Sequence, residues 1–186
     1  MKPPAPVYKF DERLREIPES KAAYDAYLSH LEKQLAIETR PAEKASLLGD
    51  LGVQLRCDNR LDEAETALRE ALKIITTDRL GTRRQVQQNL RLANVLQWQG
   101  KFDESTPLFD ETLATCRGIA EALPYLDFAL HHSGKNLFDQ GKWADALKRF
   151  EEALTIRKRR EAPADQIQST EQAISETKKR LLVPRK

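Results

Sequence analysis

A displacement of 41 residues lays this chain onto itself twice, and that periodicity restricts its fold more than any other feature. The segment from Asp127 to Arg157 is the reference copy. Leu130, Gly134 and Leu137 fall on one face of a first helix, and Gly141 marks a turn. Trp143, Ala146, Phe150, Ala153 and Leu154 then fall on one face of a second helix. One period earlier Gly100, Phe102, Phe109 and Leu113 occupy the positions of Gly141, Trp143, Phe150 and Leu154. Two periods earlier Asn59, Leu61, Ala64, Leu68, Ala71 and Leu72 repeat the template, with Asn59 at the turn because Asn tolerates left-handed backbone best after Gly.

Three repeats are therefore expected, at residues 41–78, 79–120 and 121–160. Pro41 suits a first helical turn, and Asp62 and Glu63 place negative charge at the positive end of the following helix. Pro107 is expected near the first turn of its helix, where few amides need partners. Close helix crossing needs small residues, so Gly52, Ala93 and Gly134 are expected to face Ala64, Ser105 and Ala146. The large Leu68, Phe109 and Phe150 would then fill the space toward the next repeat.

One helix pair leaves an apolar face uncovered, so the repeats need caps. Ala23, Tyr27, Leu31 and Leu35 give residues 19–40 the pattern of a leading half repeat. A closing helix is expected at 163–182, with Ile167, Ala173, Ile174, Thr177 and Leu181 on one side. Pro3, Pro4, Pro6 and Pro18 make residues 1–18 read as a loose, proline-rich leader, although Val7, Tyr8 and Phe10 offer a means of docking it. Residues 183–186 are expected to fray.

The fold so described is all-α: a right-handed α-solenoid of antiparallel helix pairs with terminal capping helices. The repeats resemble the tetratricopeptide family, and Gly134, Gly141, Trp143, Ala146, Phe150 and Ala153 form the best copy. That family's usual period is about 34 residues, and the extra length here is close to two helical turns, which preserves each face. The longer period, Pro107 and the ending at Glu152–Arg157 look like the kinesin-light-chain-type subgroup. The resemblance implies a non-enzymatic adaptor that holds a peptide or helix of another protein in a concave groove lined by the first helices. On this chain it implies a groove of Arg56, Arg91, Asn94, Gln97, Trp98, Phe128, His131, His132, Lys135 and Phe138. Some members grip a carboxy terminus with a Lys/Asn/Arg clamp, but Gly49 and Val53 stand at its opening positions here.

Other chemistries have little support. His131 and His132 are adjacent and point about 100° apart on a helix, with no third ligand at metal-site spacing. No nucleophile–base pairing or phosphate loop is present, so neither catalysis nor a cofactor is expected. The net charge is +2, but residues 141–186 hold 12 Lys/Arg against 7 Asp/Glu. The run Arg157–Arg160 reads as solvated cations favouring a helix C-terminus, and nucleic acid is not the expected partner. Cys57 and Cys116 read as isolated free thiols compatible with a reducing cytoplasm, and no apolar run suits a signal or membrane segment. An alternative to the adaptor is a regulatory or self-assembling module that dimerises through the solenoid ends or the basic terminal helix.

Overall fold

A computed structural model describes residues 3–12 and 14–182. They form a two-stranded hairpin, β1 (Tyr8–Phe10) and β2 (Glu16–Pro18), followed by eight helices. The helices are α1 (Lys21–Ile37), α2 (Pro41–Cys57), α3 (Leu61–Thr77), α4 (Thr82–Trp98), α5 (Phe102–Gly118), α6 (Leu126–Asp139), α7 (Trp143–Arg159) and α8 (Ala164–Leu182). A 3-10 turn at Leu123–Tyr125 precedes α6. The fold is all-α with a short appended hairpin. The expected fraying of 183–186 lies outside the described residues.

Two compact units emerge, Met1–Gln99 and Gly100–Lys186. The division falls inside the stretch read as the second repeat, between its two helices. In the first unit α2 packs on α1, α3 and α4; in the second α6 packs on α5 and α7, and α8 covers α7.

The turn chemistry follows the sequence. Asn59 takes φ 59°, with its N–H donating to Arg56 O and the Arg60 N–H to Leu55 O. Gly141 repeats this at φ 72°, with its N–H donating to Phe138 O and that of Lys142 to Leu137 O. These paired bonds satisfy the carbonyls at the ends of α2 and α6 and turn the chain back on itself.

Packing within a pair departs from expectation. A β-carbon on Gly134 would stand 2.6 Å from the Phe150 ring, and one on Gly52 2.6 Å from Leu68 Cγ. The large residues therefore press into the glycines of their own pair, and the small Ala64 and Ala146 are not what the glycines face most closely. Pro107 is the sixth residue of α5, beyond its first turn, so one helical hydrogen bond is lost while the helix continues to Gly118. On α8 the buried stripe is Thr170, Ala173 and Thr177, small enough for close approach to α7, whereas Leu181 is exposed.

The leader is not loose. Tyr8 pairs with Pro18, Lys9 with Ile17 and Phe10 with Glu16 in antiparallel register. The reversal is closed by the Leu14 N–H donating to Asp11 O and the Arg15 N–H to Asp11 Oδ1. Leu14 is buried, and β2 lies against α2. Two short strands are marginal alone in water, so the docking contacts hold this hairpin in place.

Candidate functional site

In the first unit, the ends of α2 and α4 bring Arg56 and Trp98 together. The Arg56 guanidinium lies 4.4 Å from the centre of the Trp98 ring, and Arg15 from the leader lies 4.8 Å from it. Arg56 Nη1 also donates to Glu16 Oε2 at 2.7 Å. Burial opposes the charge on Arg56, but the Glu16 carboxylate, with Cys57 and Tyr8 adding, outweighs it and holds the group above its ordinary value. Tyr8 Oη donates to Gln54 Oε1, and deeper in, Tyr24 Oη donates to Gln54 O at 2.6 Å. Burial pushes the Tyr8 phenol up to about 12, so it remains a neutral donor at ordinary pH.

The other expected groove residues of this unit are more constrained. Arg91 Nη2 donates to Asp50 Oδ1 at 2.7 Å and remains half-buried. Gln88 and Arg91 stand where a β-carbon on Gly49 would be, so that glycine admits α4 to α2. Asn94 is buried with Nδ2 donating to Leu90 O, and Gln97 is buried.

In the second unit, the expected groove residues are buried or half-buried. Phe128 is half-buried beneath Arg157 and Arg160, whose guanidiniums lie 5.2 and 5.7 Å from its ring centre. The His131 and His132 rings meet edge to face with centres 5.3 Å apart, and His131 Nδ1 is 3.2 Å from Thr170 Oγ1 on α8. Lys135 and Phe138 are buried. Among the described residues no group of three His, Cys, Asp or Glu is placed to hold a metal ion.

Of the Arg157–Arg160 run, Lys158, Arg159 and Arg160 are exposed at the end of α7 as expected, but Arg157 is not solvated. Arg157 is 2% exposed, with Nε donating to Asp127 Oδ2 at 2.9 Å and Nη1 to Gln166 O and Thr170 Oγ1. Arg160 Nη2 donates to the same Asp127 oxygen. Burial pulls Arg157 below its ordinary value, with Asp127 opposing. The arrangement joins α6, α7 and α8 through charge rather than through apolar packing alone.

The sequence offered Tyr8 as a docking residue, and it does reach Gln54 on α2, but Leu14, Arg15 and Glu16 were missed as parts of a site, because prolines hid the two-residue alternation of the strands. Tyr8 and Phe10 are nevertheless more covered than Lys9 between them, a faint strand signal.

The sequence of residues 86–159 matches the tetratricopeptide repeat profile. No curated protein matches the chain. Among solved structures it is similar to the nearly identical TPR-like repeats of a kinesin light chain-type protein from Podosopora anserina. There the identity is 14% and the TM-score 0.61, covering 86% of this chain and 80% of that one. It is also similar to Bacillus thuringiensis PlcR in complex with the peptide PapR7 and DNA, at 14% identity and TM-score 0.63, covering 85% of this chain and 62% of that one. BtubC from P. vanneervenii gives 16% identity and TM-score 0.55, covering 89% and 76%. At these identities the likeness is one of fold.

Proposed function

We propose that the chain is a non-enzymatic adaptor of the long-period, kinesin-light-chain-type tetratricopeptide class, binding a segment of another protein on the first helices of its repeats. The observation that carries this reading is the Trp98–Arg56 face at the helix ends, where a half-exposed indole stands beside a buried guanidinium whose carboxylate partner, Glu16, comes from the leader rather than from the helical repeats. An aromatic ring gives a large contact area and attracts cations, while arginine orients a carboxylate, and these residue types dominate binding energy at interfaces. Arg91 extends the face along α4. Buried Asn94, Gln97, His131, Lys135 and Phe138 act through packing rather than by touching a partner. The fold's likeness to PlcR, solved with a bound peptide, agrees with this class of function.

The test is affinity capture from lysate of the source cells with wild type, Trp98→Ala and Arg91→Glu, after circular dichroism and melting show all three folded. Lys135 is unsuitable for such a test because a charge change at a buried site would disturb folding. A protein held by wild type and lost by both variants supports the reading; equal retention contradicts it.

Self-association through α8 is a second reading, favoured by Leu181 at 44% and Leu182 at 82% exposure on its last turn. Sedimentation of wild type against Leu181→Glu separates the two, since only this second reading expects a dimer that the variant dissociates.

A further inference from the structure

Resting on the adaptor reading, we propose that the Trp98–Arg56 face takes an extended peptide bearing a cation followed directly by a carboxylate, and that Arg15–Glu16 is its resident, exchangeable occupant. The ligand chemistry follows from the local charges. Arg15 and Arg56 share the Trp98 ring at 4.8 and 4.4 Å, two like charges near one another. The Glu16 carboxylate, 2.7 Å from Arg56, offsets that repulsion. A lone cation would meet Arg56 unscreened, and a lone carboxylate would leave the place over the indole empty. Adjacent opposite charges satisfy both: Arg15, just before β2, reaches the ring, and Glu16, the first residue of β2, reaches Arg56 beside it.

The occupant is held in a way that permits exchange. Within the described part of residues 3–19 only Leu14 is buried, and it adopts φ 60°, a left-handed conformation that a leucine takes at a cost. Val7 and Ile17 are exposed, and the sheet has only two strands of three residues. The next element, α1, is anchored differently, with Tyr24, Tyr27, Leu28 and Leu31 all buried. Opening of the leader therefore leaves the helical core closed, the pattern of a local, low-stability unit. An incoming segment with the same charge pair gains the same contacts without the strained leucine.

The experiment uses a synthetic peptide of residues 3–19 and the full chain, with Trp143→Phe throughout so that Trp98 is the reporting indole. For a tethered leader at an effective concentration of about 1 mM to be docked more than nine-tenths of the time, the free peptide needs a Kd of about 0.1 mM or tighter. The account expects the peptide to saturate the Trp98 signal of a Glu16→Lys chain in that range and to bind the wild-type chain at least tenfold more weakly. A peptide with Arg15 and Glu16 both changed to alanine should lose at least tenfold against the Glu16→Lys chain. Hydrogen exchange on the Glu16→Lys chain should show leader amides released and those of α2 and α4 still protected. The proposal is overturned if the leader stays protected in that chain, if a released leader leaves a site that does not bind the peptide, or if both chains bind equally. No partner protein enters this experiment, so its failure leaves the adaptor reading standing, and the capture experiment decides that reading separately.

Discussion

Glu16 and Arg56, forty positions apart, form an ion pair of 2.7 Å that ties the amino-terminal hairpin to the end of α2. Arg56 is only 6% exposed, so removal of the carboxylate leaves a buried charge unless the hairpin opens. That opening limits the loss, because solvent then reaches the guanidinium. Glu16→Ala should therefore cost about 1–2 kcal/mol in urea unfolding, below the ~3–5 kcal/mol of a fully trapped pair. A larger loss would mean that the hairpin cannot open independently.

Asp127 and Arg157 provide the contrasting case. Both side chains are nearly fully buried, and Arg160 joins the same carboxylate oxygen. Asp127 and Arg157 lie among α6, α7 and α8, with Arg160 about one-third exposed at the edge, so the buried pair is held by packed helices rather than by a short hairpin. Asp127→Asn should cost about 3 kcal/mol in urea unfolding, and Asp127→Leu combined with Arg157→Met should recover a substantial part. No recovery in the double variant would show that packing, not the unpaired charge, sets the loss.

Gly134→Ala tests the helix crossing. Its new methyl would stand 2.6 Å from Phe150 Cε1 and must displace that ring, at about 1–3 kcal/mol. Phe150→Leu in the same chain should cancel part of this cost in a double-mutant cycle, although alone it destabilises. Additive effects would separate the two residues and contradict the packing described.

Alkaline pH should weaken the fold. Burial, with a smaller contribution from Asp127, pushes the Cys116 thiol up from 9.0 to about 11. The folded chain then holds this proton more tightly than the unfolded one, so stability is intact below pH 9 and falls as pH rises from 9 to 11. The full span corresponds to about 2 kcal/mol. Urea melts at pH 8 and 11 should show a smaller loss for Cys116→Ala than for wild type, and equal losses would assign the effect to other groups such as Tyr8.

The helical repeats were legible because their information is local. Asn59 and Gly141 occupy equivalent turn positions, and the apolar positions between turns recur at helical spacing. The hairpin was not, since three-residue strands give too little alternation and Pro18 can end a strand without offering a donor. Arg157 was hidden by its neighbours: four consecutive cations look alike, although only Arg157 continues the buried series Ala146, Phe150, Ala153. Periodicity carried to the end of α7 would have placed it inside. Its partner Asp127 lies thirty residues away, and charge composition carries no such pairing. Likewise, the expected groove residues followed from their helices, but the contacts of Arg56 and Trp98 with the leader and of His131 with α8 join positions distant in sequence.

Site-directed photocrosslinking is the most direct test of the Trp98–Arg56 face. A photoreactive side chain would replace Arg91 on α4, with Lys73 on α3 and Lys148 on α7 as reference positions, and adducts formed in source-cell lysate would be mapped by mass spectrometry. The account predicts an adduct at position 91 with one defined segment of another protein, lost when Trp98→Ala is added, and none with that segment from 73 or 148. The same segment crosslinked from 73 or 148, and not from 91, would contradict it.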